Sequence, residues 1–199
     1  ITTKNANLIT SLIFEIGNRK LREIKNAKES KFMFNSLDEE SNEILEVKRI
    51  DYYLTRENII LDAEVQDWRD SIKFAGNILL KRNKISKPHI DEMIQNIEDY
   101  GPYVVIKKGL ALPHVEVLAD EFDTSFLLLR LKNPVAYGVE KLDPIKYVCI
   151  LVASQNKDHI KALFEFNNMV SNEKFMEKHD SAVSPKEVEL LIRAFIHEQ

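Results

Sequence analysis

An α/β layered domain is the fold class this sequence predicts, and three observations predict it. Apolar stripes at helical spacing alternate with short apolar runs of strand type, the last two of those runs are apolar at nearly every position, and Pro and Gly punctuate the boundaries. The breakers also divide the chain. All six Pro (Pro88, Pro102, Pro113, Pro134, Pro144 and Pro185) lie after residue 87, whereas residues 1–54 hold no Pro and one Gly, Gly17. Residues 55–199 are therefore expected to form the domain, and residues 1–54 a helical linker or the tail of a preceding domain. Helix-like stretches at residues 8–24 and 37–47 and the acidic cluster Asp38, Glu39 and Glu40 mark that first part. A charged helix without a core of its own describes it equally well.

Within the domain each element has a local reason. Asp67 stands where a helix N-cap belongs, and Val65, Trp68, Ile72, Ala75 and Leu79 recur as one apolar stripe, so a core-facing helix follows. Ser86 and Pro88 open a second helix with Ile90, Met93, Ile94 and Ile97 inward, and Tyr100-Gly101-Pro102 ends it. Strand-like runs come next: Tyr103 to Ile106, Leu110 to Leu112, Ser125 to Leu131 and Tyr147 to Val152. The last two read as central strands covered on both faces. Asn156 to Asp158 are placed to cap a helix carrying Ile160, Leu163, Phe164 and Val170. Ser184-Pro185-Lys186-Glu187 is a capping box with Pro at the first helical position, opening a helix with Val188, Leu191, Ile192 and Phe195 inward.

Composition limits the chemistry. The chain has 199 residues, 28 Lys+Arg against 32 Asp+Glu, a formal net charge of −4 and 44% hydrophobic residues, which excludes a disordered polymer. This acidity gives no cationic field for a phosphate backbone, so direct nucleic-acid contact is not expected. No apolar run approaches the roughly 20 residues that span a bilayer, and the first residues lack an export signal, so no membrane insertion is expected. A lone Cys149 suits a reducing compartment, and a cytoplasmic location is expected. The chain begins at Ile1 rather than Met, so it is expected to be a piece of something longer.

Five histidines are the candidates for reactivity. His89, His179 and His197 sit in polar helical surroundings or near the chain end and read as surface residues. His114 differs: it closes Gly109-Leu110-Ala111-Leu112-Pro113-His114, where a short apolar strand delivers an imidazole directly after a residue that fixes φ. His159 opens the helix after the strongest central strand, and a first helical turn offers unsatisfied N–H groups and a positive dipole end to an anion such as phosphate. Open α/β sheets bind ligands along one strand end, where both histidines are expected. Metal-ligand spacings such as His-Glu-x-x-His or paired Cys are absent, as are a P-loop, a Gly-rich dinucleotide fingerprint and a Gly-x-Ser-x-Gly elbow. No metal and no cofactor are expected. An enzyme that handles phosphate without binding a nucleotide is what these residues leave.

Several segments in order then carry a specific likeness: Tyr100-Gly101-Pro102-Tyr103-Val104-Val105-Ile106, Gly109 to His114, Asn133-Pro134-Val135, Asp143-Pro144-Ile145-Lys146 and Asp158-His159-Ile160-Lys161-Ala162-Leu163. Over about residues 55–199 the chain resembles the IIA component of the bacterial phosphoenolpyruvate-dependent sugar phosphotransferase system, of the mannitol/fructose type and its ascorbate-like branch. The resemblance implies a sandwich with a mixed β-sheet flanked by helices. It implies that His114 is the phospho-acceptor and that His159 steadies the phosphoryl group. It further implies a histidine-containing phosphocarrier protein as donor and a IIB component as recipient. Val115-Glu116-Val117 stands where ascorbate-like members tend to carry Ala-Arg-Pro, and Glu98-Asp99-Tyr100 lacks the Arg that mannitol-type members tend to have.

Three roles are compatible with this likeness. The first is a phosphoryl carrier in sugar uptake, and the second a phosphorylation-responsive regulatory domain of a transcriptional antiterminator or activator. The third is an interaction module that has lost the reaction, for which Glu116 is the motive. An apolar patch around the reactive histidine would serve a transient partner or a twin subunit, so a monomer and a homodimer both stay open.

Overall fold

The computed structural model describes residues 48–118, 121–155 and 159–197. The helical stretches expected at residues 8–24 and 37–47, the acidic cluster Asp38 to Glu40 and the capping segment Asn156 to Asp158 lie outside the described residues. In chain order the elements are α1 (Ile50–Tyr53), a 3-10 turn (Arg56–Asn58), β1 (Ile59–Ala63), α2 (Trp68–Lys81), α3 (Lys87–Tyr100), β2 (Val105–Lys107), β3 (Leu110–Ala111), β4 (His114–Val117), β5 (Ser125–Val135), β6 (Ile145–Ser154), α4 (Ile160–Ser171), α5 (Glu173–Ser181) and α6 (Pro185–His197).

The strands form one six-stranded sheet in the order β1-β5-β6-β3-β2, with β4 also beside β6. It is mixed: β1 is parallel to β5, β3 and β4 are parallel to β6, and β5 with β6 and β2 with β3 are antiparallel. The expected layered α/β class is therefore the observed one.

β5 and β6 look uninterruptedly apolar because they feed two cores. Leu127, Leu129, Val148, Ile150 and Val152 point to face A, where Ile72, Ala75 and Leu79 of α2 and Ile90, Met93 and Ile97 of α3 cover them. Phe126, Leu128, Tyr147, Cys149 and Leu151 point to face B, under Ala162, Phe166 and Met169 of α4 and Val188, Ile192 and Ile196 of α6. A period of two in the strands thus sorts side chains between cores, and full burial of each such side chain stabilises the fold by about 1.5–3 kcal/mol.

The helix starts follow from their caps. Asp67 accepts from the Asp70 N–H at 2.8 Å. Ser86 and His89 form a capping box, with the hydroxyl 2.8 Å from His89 Nδ1. Ser184 Oγ accepts from the Glu187 N–H at 3.3 Å. Gly101, at φ 82°, turns the chain out of α3 where a side chain would be strained.

Three elements were not evident from the pattern. β1 is a five-residue edge strand, Ile59-Ile60-Leu61-Asp62-Ala63, with too few alternations to distinguish it from a loop. α5 is a separate helix because Asn172 ends α4 in extended backbone and then caps the next helix by accepting the Phe175 N–H at 3.0 Å. α1 is only a turn long, and it is secured by charge. Buried Glu165 of α4 accepts from the Ile50 N–H at 2.9 Å and from Arg49 Nε at 2.9 Å, while Arg49 also donates to the Ile196 carbonyl at 2.8 Å. Ile50, Tyr53 and Leu54 lie buried in the face B core.

His179, expected at the surface, is buried at 1% exposure. The reason is its place on α5: Phe175 lies one turn before it on the same face, stacked with its ring at a centroid distance of 6.1 Å, and Tyr147 lies 4.9 Å away. Neither ring nitrogen has a hydrogen-bond partner among the described residues. Burial, aided by the positive charges of Arg130 and Lys146, lowers its pKa to about 4. Arg130 itself is buried and donates to the carbonyls of His179, Asp180 and Ala182 at 2.8, 3.1 and 2.8 Å, closing the C-terminal end of α5.

Two stability tests arise here. A Cβ at Gly76 of α2 would meet Ile90 Cγ1 at 2.8 Å and Cδ1 at 2.9 Å. Helix propensity favours Gly76→Ala by about 1 kcal/mol, but overpacking against a stiff β-branched neighbour costs about 1–3 kcal/mol. Net destabilisation of about 1 kcal/mol is expected in urea melts, with partial recovery when Ile90→Val is added. For His179 the folded pKa lies below that of the unfolded chain, so the unfolded state binds more protons between pH 6.5 and about 4. Stability is present above that window and falls by up to about 3 kcal/mol as pH drops through it. Denaturant titrations at pH 7, 6, 5 and 4 on the wild type and His179→Leu are expected to show this slope weakened in the variant.

Candidate functional site

The site is built on the strand carrying Gly109 to Val117. Gly109, at φ 76°, accepts at its carbonyl from the N–H groups of Lys146 and Tyr147, both at 2.9 Å, and donates to the Leu142 carbonyl at 2.9 Å. The loop between β5 and β6 is drawn together by Asp143, whose carboxylate accepts the N–H groups of Tyr137, Gly138 and Val139 at 2.9, 2.8 and 2.8 Å. From there the strand pairs with β6 in one register: Leu110 lies opposite Tyr147, Ala111 opposite Val148, His114 opposite Leu151 and Val117 opposite Ser154. β3 and β4 are thus two halves of one line, interrupted at Pro113, which has no N–H to give but whose carbonyl still accepts from Leu151 at 3.0 Å.

His114 accordingly does not end a strand, as its position after Pro113 suggested; it opens the second half. Alternation from that point puts Val115 and Val117 into the face A core, and leaves His114 half-buried and Glu116 exposed on face B. The imidazole is held at two points. Its Nδ1 lies 3.1 Å from the Leu112 carbonyl. Tyr103 meets the ring edge-on at 5.8 Å with planes 86° apart. Since a carbonyl only accepts, Nδ1 carries the proton, and the lone pair of the neutral ring is on Nε2. Burial raises the Tyr103 pKa, so its hydroxyl stays neutral beside the ring.

His159 is the N-cap residue of α4, half-buried, with its carbonyl accepting from the Leu163 N–H at 2.8 Å. α4 continues from the C-terminal end of β6 and packs on face B, where Ala162 and Phe166 are buried. His114 sits opposite Leu151, three places before the last residue of β6, on that same face. The fold therefore puts His114 and the N-terminus of α4 on one face and toward one end of the sheet. The other histidines fall elsewhere. His89 caps α3, His197 is exposed at the end of α6 with Nε2 3.2 Å from Asp51, and His179 packs against Tyr147 near the opposite end of β6.

Two parts of the site escaped sequence reasoning: the Leu112 carbonyl as the tautomer-setting acceptor, and Tyr103 as the ring's neighbour. Tyr103 lies within the motif that carried the resemblance, but nothing local says that it turns toward His114. No described helix is long and apolar enough to cross a membrane.

Residues 52–194 match the family described as "Phosphoenolpyruvate-dependent sugar phosphotransferase system, EIIA 2". The chain is 25% identical over 143 residues to the ascorbate-specific PTS system EIIA component of Shigella boydii, covering 71% of this chain and 93% of that protein. Among solved structures, the mannitol-specific cryptic phosphotransferase enzyme IIA of Escherichia coli superposes with a TM-score of 0.62 at 26% identity, over 73% of this chain and 98% of that one. The same fold occurs in the Escherichia coli mannitol enzyme IIA in its complex with phosphorylated enzyme IIB, at a TM-score of 0.58 and 22% identity over 69% of this chain and 95% of that one. With its mixed sheet, its register through Pro113 and a match spanning nearly all the described residues, this chain belongs to the EIIA type 2 family of the phosphoenolpyruvate-dependent sugar phosphotransferase system.

Proposed function

We propose that this domain is a protein-histidine phosphoryl carrier in which His114 Nε2 accepts the phosphoryl group. The donor is a histidine-containing phosphocarrier protein and the recipient a IIB component, both cytoplasmic partners. The observation that carries the reading is the 3.1 Å contact between Nδ1 and the Leu112 carbonyl, because it leaves Nε2 as the nucleophilic nitrogen at neutral pH. In loading, the P–N bond on the donor histidine breaks as the Nε2–P bond on His114 forms and the donor nitrogen recovers its lone pair; in discharge, the Nε2–P bond breaks as a nucleophile of the IIB component bonds to phosphorus, and Nε2 recovers its lone pair. Nδ1 keeps its proton throughout and goes on donating it to the Leu112 carbonyl, so the positive charge developing on the ring is shared with that carbonyl. Phosphoryl transfer of this kind asks for in-line placement and charge stabilisation rather than new covalent chemistry. His159 and the positive end of the α4 dipole, on the same face, supply the stabilisation. Attack by Nε2 needs an approach from solvent, and the half-buried ring provides one.

Two measurements test this. In 15N NMR at pH 8, His114 is expected to show a protonated Nδ1 and an unprotonated Nε2; the opposite tautomer refutes the assigned nucleophile. Incubation with phosphoenolpyruvate, enzyme I and the phosphocarrier is expected to place an acid-labile phosphate on the wild type and none on His114→Ala. His159→Ala is expected to slow labelling by about 10-fold or more, the scale of one well-placed stabilising group. Undiminished labelling of His114→Ala overturns the proposal.

A further inference from the structure

Glu116 is the charged residue that the strand's geometry puts closest along the chain to His114 on the same face. Successive residues of β4 alternate, with Val115 and Val117 buried and His114 and Glu116 facing the other way, opposite Leu151 and Ala153 of β6. Two residues of strand separate their Cα atoms by about 7 Å. The charged side chains that face B buries are neutralised by partners: Glu165 by Arg49, Glu189 by Arg56 at 2.7 Å and Arg193 at 3.0 Å, and Arg130 by Asp62 at 3.2 Å. Glu116 is exposed and makes no ion pair or hydrogen bond with any described residue.

We infer that Glu116 tunes the phosphoryl-transfer equilibrium of this domain, its carboxylate raising the free energy of the phosphorylated state of His114. The inference rests on the phosphoryl-carrier reading above. A phosphohistidine carries a charge near −2, so the repulsion exists only when the group is on the ring and vanishes when it leaves. Across about 7 Å in a water-like dielectric, a −1 against a −2 charge shifts an equilibrium constant by roughly three- to tenfold. The residue acts through His114 without touching the donor nitrogen or the phosphorus, and its consequence is directional. The domain is a weaker acceptor and a stronger donor than the same fold with a neutral residue at this position.

The test is the equilibrium ratio of phosphorylated domain to phosphorylated carrier, measured after full equilibration of wild type, E116Q and E116D with a limiting pool of phosphocarrier phosphate. This ratio is independent of how tightly the two proteins bind, so a change in docking alone leaves it unmoved. At about 0.01 M ionic strength E116Q is expected to favour the phosphorylated domain three- to tenfold over wild type, E116D to resemble wild type, and the difference to shrink toward unity at about 1 M salt. E116Q equal to wild type at low salt, or a shift that is the same at both salts, overturns the inference while leaving the carrier reading intact. A wild type that takes no label, or a His114→Ala variant that does, overturns the carrier reading and this inference with it.

Discussion

The single register between the Gly109 to Val117 strand and β6 is the constraint on which the rest of the site depends. Because Leu110, Ala111 and His114 keep the same offset from β6 across Pro113, every residue from Leu110 to Val117 has an assigned face. A slip of one residue would send Val115 and Val117 into solvent and His114 into the face A core, and burial of two Val side chains resists that by several kcal/mol in total, taking about 1.5–3 kcal/mol for each. The position of the His114 ring is therefore a by-product of hydrophobic sorting. No strained backbone is needed at His114: positive φ among these residues is confined to Gly109, where glycine tolerates it.

The two faces of the sheet differ in how they treat charge, and that difference organises the site. Face A is sealed by α2 and α3 with an almost wholly apolar lining. Face B holds Arg130, Glu165, His179 and Glu189, all buried. Three of these are ions with partners or carbonyl contacts, and their work is mechanical: Glu165 secures α1, Glu189 ties α6 to Arg56, and Arg130 closes α5. His179 is tolerated by staying neutral. A polar group buried without a partner costs about 1–3 kcal/mol, and its stacking on Phe175 and Tyr147 offsets part of that. Thus each buried ion on the face that carries His114 has a partner, and Glu116 stands outside that set as an exposed carboxylate.

What the sequence made legible follows the strength of local physics. Caps at Asp67, Ser86 and Ser184 and the stripe through Ile72, Ala75 and Leu79 were readable because one side chain or one period decides them. The double-sided burial of β5 and β6 was readable from their continuous apolar runs. β1 was not, because an edge strand of five residues pairs with β5 through long-range contacts that leave no periodic trace. His179 was misjudged because its polar neighbours on α5 masked the Phe175 spacing that turns it inward. His114 could be singled out from Pro113 and the apolar run before it, and the likeness to a known family gave it a role. Its tautomer could not be read, since the acceptor is a backbone carbonyl whose direction only the folded strand defines.

The tautomer of His114 matters to the proposed reversible transfer. An acceptor histidine must be nucleophilic before the reaction and a good leaving group after it, and both demands fall on the same ring. Hydrogen bonding of Nδ1–H to a carbonyl serves the first by fixing the tautomer, and serves the second weakly, since a neutral carbonyl shares the ring's positive charge far less than a carboxylate would. A carboxylate at the Leu112 carbonyl's position would favour the phosphorylated ring and slow its discharge. A carboxylate two residues beyond His114 on the same face, as at Glu116, acts in the opposite sense under the carrier reading and favours release. The strand's alternation makes that placement possible without cost to either core, because the side chain at Glu116 faces solvent whatever its charge.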